Sequence, residues 1–171
     1  MTSMERKVVS SRAAKLSILF AAAAPAAAHA ETRSATMSVS ATVTANCTVS
    51  TNAVAFGSID PLGGNHDAAG SVTVNCTNGA AWSAAANAGS GTGATLANRR
   101  MTSGANALTY RLYTDAGRTS IWGDGSTGTA AVTGTGNGAA QVFTVYGRVP
   151  SGQTSVRAGS YSDTVSVTIT Y

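Results

Sequence analysis

The sequence predicts an all-β domain, two antiparallel sheets packed as a sandwich. Three observations carry this. Ser160–Tyr171 alternates Val165, Val167, Ile169 and Tyr171 with Ser166, Thr168 and Thr170, the two-residue period of a strand with one face buried. Ala35–Val43 shows the same alternation at the other end. Between them, short apolar runs are separated by Gly, Asn, Asp and Pro turn signals, with no helical periodicity of useful length.

Taken in order, Ser38–Thr48 reads as a strand and Val54–Phe56 as a short one. Gly57–Ala69 is a loop turned at Asp60-Pro61 and Gly63-Gly64. Ser71–Cys76 and Ala81–Asn87 are expected to pair as a hairpin around Thr77-Asn78-Gly79, because Asn-Gly supplies the positive φ of a tight turn. Gly89–Gly93 is an exposed stretch, followed by Arg99-Arg100-Met101 and the strand Leu108–Thr114, with Leu108, Tyr110, Leu112 and Thr114 on one face. Asp115-Ala116-Gly117 turns the chain into Ser120–Trp122, and Gly123-Asp124-Gly125 turns it again. Thr127–Ala140 is a low-complexity connection into Gln141–Val149, and Pro150-Ser151-Gly152 precedes the last strand. About seven short strands so punctuated favour a sandwich. The alternation reaches the final residue, so the domain reads as short of a closing strand while a spare one stands at its opposite end. The expectation is an assembly protein in which one copy completes the next.

Residues 1–30 read as an export signal. Arg6, Lys7, Arg12 and Lys15 precede apolar Leu16–Ala28, and Ala28-His29-Ala30 is a small-x-small site before Glu31. The apolar run is shorter than the ~20 residues a membrane anchor needs. Beyond it remain seven arginines, no lysine and six acids, a net charge of +1. Such a surface has no electrostatic footprint for nucleic acid. The remainder is one domain of ordinary size, rich in Gly, Ser, Thr, Asn and Ala, whose core must be built mainly from Ala and Val. Cys47 and Cys76 both lie beyond the signal, and an even pair in an oxidising compartment is expected to form a disulfide.

Enzyme signatures are missing. No Ser has Gly at both −2 and +2, and His66 is the only candidate base beyond the signal. Asp60, His66 and Asp67 share one loop but read as a solvated turn, and two Cys with one His do not make a zinc set. The Gly-rich runs Gly89–Ala94 and Gly134–Ala139 imitate a dinucleotide fingerprint without the strand before and helix after that it requires. Arg99 and Arg100, adjacent in a strand, point to opposite faces, and one is expected to be solvated. Trp122 and Tyr161 are candidates for stacking on a sugar, although aromatics of a small sandwich more often fill its core. No catalytic, metal or cofactor residues are assigned.

Phe56-Gly57-Ser58-Ile59-Asp60-Pro61-Leu62, the Ser71–Cys76 strand, Arg99-Arg100-Met101, Leu108–Asp115, Trp122-Gly123-Asp124-Gly125, Tyr146-Gly147-Arg148-Val149-Pro150 and Gly159-Ser160-Tyr161-Ser162-Asp163 follow one another in an order that resembles spore coat protein U domains. That family is similar to the pilins of archaic chaperone-usher pili. The resemblance implies an incomplete immunoglobulin-like β-sandwich lacking its last strand, with 31–45 as an N-terminal donor segment and 46–171 as the domain. It also implies a periplasmic chaperone, an outer-membrane usher and neighbouring copies of the chain or related pilins as partners, in a surface pilus that serves adhesion or biofilm formation. Donor-strand complementation is the assembly mechanism so implied. The alternation of this chain then makes Met37, Val39, Ala41 and Val43 the plugs, with Ala35 a weaker fifth position. Val165, Val167, Ile169 and Tyr171 become the chaperone-binding C-terminal strand. The alternative is a secreted coat or lectin-like surface module that forms no pilus.

Overall fold

Eight strands and no helix make up residues 29–126 and 128–171, the part of the chain described in a computed structural model. The export-signal expectation for 1–30 lies outside the described residues apart from His29 and Ala30. The chain divides into two units, Met1–Ser40 and Ala41–Tyr171, and every strand belongs to the second. The strands are β1 (Cys47–Asn52), β2 (His66–Cys76), β3 (Ala81–Ala86), β4 (Arg99–Ser103), β5 (Asn106–Tyr113), β6 (Val132–Thr135), β7 (Ala140–Val149) and β8 (Val167–Thr170). One sheet has the order β1-β2-β7-β5-β4, the other β6-β3-β8, and every strand pair is antiparallel.

Period-2 patterning decides which side chains meet between the sheets. Val72 and Val74 of β2, Leu108, Tyr110 and Leu112 of β5, and Val145 and Val149 of β7 face Trp82, Ala84 and Ala86 of β3 in one buried cluster. The small Ala side chains leave room for Trp122, which is 2% exposed, donates its indole N–H to the Ala84 carbonyl at 3.1 Å and stands edge-on to Phe143 at 5.7 Å. Trp122 is therefore no platform for a sugar.

Four sequence expectations are corrected. The first strand begins at Cys47 rather than Ser38, because a strand needs a ladder partner and residues 29–46 find none among the described residues. Val54–Phe56 likewise forms no strand. Thr77-Asn78-Gly79 does turn tightly, with Gly79 at φ 82° and the Ala80 N–H donating to the Thr77 carbonyl at 3.0 Å, but it carries the chain from one sheet to the other. The apolar faces of Ser71–Cys76 and Ala81–Asn87 bury each other face to face, which edge-to-edge pairing cannot do. Finally, the low-complexity stretch contains β6, whose Gly134 lies opposite Trp82 and leaves the space its ring fills. The expected disulfide joins Cys47 to Cys76 across the β1–β2 register. Closing a loop of this length stabilises by roughly 3–4 kcal/mol in the chain-entropy account.

Candidate functional site: an open groove beside the last strand

Ser162 exchanges backbone hydrogen bonds with Thr102, at 2.9 and 3.1 Å, and the Ser166 carbonyl accepts from the Asn87 N–H at 3.1 Å. Farther on, β8 pairs with β3. Strand alternation then turns the N–H and C=O groups of Val165, Val167 and Ile169 to the opposite edge, and no described strand covers it. The side chains of these three residues point inward, as the sequence predicts, whereas Tyr171 is 56% exposed at the strand end.

A second segment, residues 53–59, extended as far as Phe56, lines the same groove as that edge. Val54 and Phe56 turn into the core and Ala53, Ala55 and Gly57 outward, the alternation of a strand without a ladder. Two glycines let it lie so close to the sheet. A Cβ on Gly70 of β2 would stand 2.8 Å from Val54, and one on Gly147 of β7 would stand 2.6 Å from Val54 and 2.8 Å from Phe56. Between this segment and residues 156–167 runs an open groove of about 900 Å³, floored by Val72, Leu108, Tyr110, Leu112, Trp122 and Val145. Apolar floor, two walls and one bare backbone edge leave unpaired N–H and C=O groups beside an apolar surface.

One end of the groove is polar. Asp163, facing inward in the series Asp163, Val165, Val167, Ile169, accepts from the Tyr110 hydroxyl at 2.6 Å and from the Ser90 N–H and hydroxyl at 2.7 Å each. Burial acts to raise its pKa, but the bonds from Tyr110, Ser90 and the Thr164 N–H outweigh it and hold the carboxyl below its ordinary value. Burial and the bond to Asp163 hold the Tyr110 hydroxyl well above the usual phenol range. Beneath lies Arg99, fully buried, donating to the carbonyls of Asn87, Leu96, Ala86 and Trp122 at 2.9, 3.0, 3.4 and 2.8 Å.

Sequence comparison adds to this geometry. The profile of the Spore Coat Protein U domain matches residues 33–168, nearly all of the described chain. The chain belongs to the spore coat protein U domain family. Protein U of Myxococcus xanthus is 34% identical over 161 residues, covering 84% of this chain and 88% of that protein. In fold, the spore coat protein U domain is similar to a chain in the crystal structure of the chaperone–tip adhesion subunit pre-assembly complex from the archaic chaperone-usher Csu pili of Acinetobacter baumannii. The TM-score is 0.56 at 18% identity, over 76% of this chain and 40% of that one. The observed architecture is thus an all-β sandwich of two sheets, similar in fold to that chain.

The other sequence-predicted residues of this spore coat protein U domain fall as follows. Met37, Val39 and Val43 are 87%, 88% and 84% exposed, and Ala41 is exposed with them. Asp60, His66 and Asp67 do not converge. His66 Nε2 meets the Asp60 backbone at 3.1–3.2 Å, while Asp67 faces away and accepts from Arg148 at 2.7 and 2.8 Å. Tyr161 lines the groove and donates its hydroxyl to the Arg157 carbonyl at 2.8 Å. The polar end was missed by sequence reading; its signal was the single acid at an apolar position of the last strand's alternation.

Proposed function

We propose that this chain is an exported structural subunit of a bacterial surface pilus, assembled through the chaperone-usher pathway by donor-strand exchange, with no catalytic role. One observation carries the reading: the groove has a backbone edge that no described strand covers, and the same chain holds an exposed segment patterned as a strand. Met37, Val39, Ala41 and Val43 share a face, and burying a side chain the size of Val or Met contributes about 1.5–3 kcal/mol. In the fibre this segment occupies the groove of a neighbouring copy or related pilin, its backbone pairing with Val165, Val167 and Ile169. Before assembly a periplasmic chaperone covers the same edge, and an outer-membrane usher passes the subunit outward. Adhesion or biofilm formation follows at the cell surface. Family membership and the pilus-complex neighbour support the reading.

Val39→Asp tests it, since the carboxylate must enter an apolar groove at a cost of several kcal/mol. Chaperone-bound monomer should form, and electron microscopy should find no fibres. Ser40→Asp, on the other face, should still assemble. Fibres from Val39→Asp at the wild-type yield would sink the donor assignment. The family's own description favours a second reading, a coat layer that uses the same strand exchange without forming filaments; microscopy of the assembled wild-type protein separates the two.

A further inference from the structure

Along the inner face of the last strand, side chains two residues apart are nearly interchangeable: Val165, Val167 and Ile169 inside, Ser166, Thr168 and Thr170 outside, with Tyr171 exposed at the end. The partner strand does little to choose among registers. It offers Ser83, Ala84, Ala85 and Ala86 opposite Thr170, Ile169, Thr168 and Val167. A slip of two residues keeps every apolar side chain inside and replaces one small polar or aliphatic neighbour with another, the situation in which strand register is weakly specified. The bridge of Ser162 to Thr102 is made through backbone atoms, as is Ser166's share of its contacts with Asn87, so any residue in those places could make them. On its other side the strand has the open groove.

Asp163 alone breaks the series. A slip in one direction brings Tyr161 to its place, and in the other Val165; neither offers an acceptor to both Tyr110 and Ser90. The Tyr110 hydroxyl, 5% exposed as a residue, and the Ser90 N–H and hydroxyl would lose their shared acceptor, while the carboxylate would be drawn from its donors. We infer that Asp163 is the register pin of the acceptor edge: its bonds to Tyr110 and Ser90 set which backbone groups of the last strand an incoming strand meets. It is a positioning residue for strand capture. The inference rests on the donor-strand reading for its consequence, though not for its geometry.

The experiment reads register and capture separately, on the full exported chain. Ala85→Cys is combined in turn with Thr168→Cys, the native partner, and with Ser166→Cys or Thr170→Cys, the two slipped partners; cross-links formed in oxidised glutathione are mapped by mass spectrometry. Capture is followed with a synthetic peptide of the sequence Ala35–Val43. Asp163→Val completes the apolar series and keeps a strand-forming residue. In it the slipped cross-links should rise roughly tenfold and peptide capture should slow by a similar factor, the effect of little more than 1 kcal/mol. Should that variant fail to accumulate, Tyr110→Phe with Ser90→Ala removes the two hydroxyl donors, leaving only the Ser90 N–H, and should slip in the same direction. Exclusively native cross-links in the variants overturn the inference, as does slippage with capture at the wild-type rate. Wild-type protein that never captures the peptide sinks the acceptor reading itself, and the positioning role with it, whatever the cross-links show.

Discussion

Arg99 and Arg100 are neighbours in β4 with opposite surroundings. Arg100 is exposed and donates to the Thr92 carbonyl at 3.2 Å, while Arg99 is 0% exposed among four carbonyls. Burial lowers the Arg99 pKa, with Tyr110 and Asp163 opposing. Only a guanidinium has enough donors in a planar fork to reach carbonyls in several directions. Each buried carbonyl left without its donor costs about 1–3 kcal/mol, so Arg99→Met should lower the unfolding free energy by about 3 kcal/mol or more in urea. Arg100→Met should change it by less than about 0.5 kcal/mol. For Asp163 the sign is set by a folded pKa depressed below 3.8. The stability it contributes is complete above that value and is lost as pH falls through the folded one. Asp163→Asn should therefore melt lower at neutral pH and lose less on acidification below pH 3.8; Asp67, Asp115 and Asp124, shifted in the same direction, account for the slope that remains.

At the scale of elements, the last strand and the disulfide carry separate burdens. The strand supplies Val165, Val167 and Ile169 to the inner face and the bare edge to the groove. Ending the chain at Ser162 should abolish periplasmic accumulation even with chaperone present, as judged by immunoblot; normal accumulation would show that this strand is not the chaperone's handle. The disulfide ties β1 to β2 at the end where residues 29–46 join the sheet. Cys47→Ser with Cys76→Ser should lower stability by roughly 2–4 kcal/mol, measured by thermal melting. Strand existence was legible wherever alternation met a ladder, as in β5 and β7. It was misread at 38–46 and 54–56, where the same alternation has no ladder partner among the described residues. Hydrogen-bond partners, unlike faces, are not written in local spacing.

For the molecule as a whole, the charge of residues 31–171 is nearly balanced, and the proposed fibre, joined by backbone hydrogen bonds and apolar plugs, would gain little from long-range electrostatics. Assembled protein should therefore sediment unchanged in about 1 M salt, where the Debye length is about 3 Å. Dissociation by salt would point to charge-mediated stacking instead of strand exchange.

Alternation and turn chemistry by themselves determined that the protein is all β and that Val165, Val167 and Ile169 of its last strand face inward. These follow from the two-residue period of a strand, a local property. The tertiary structure decided the rest: that Asn78-Gly79 crosses between sheets, that Arg99 rather than Arg100 is buried, and that Asp163 finds Ser90 and Tyr110 across 73 and 53 residues of sequence. Those outcomes depend on which apolar faces close on one another and which distant donors surround a buried charge, and neither is fixed until the sheets pack.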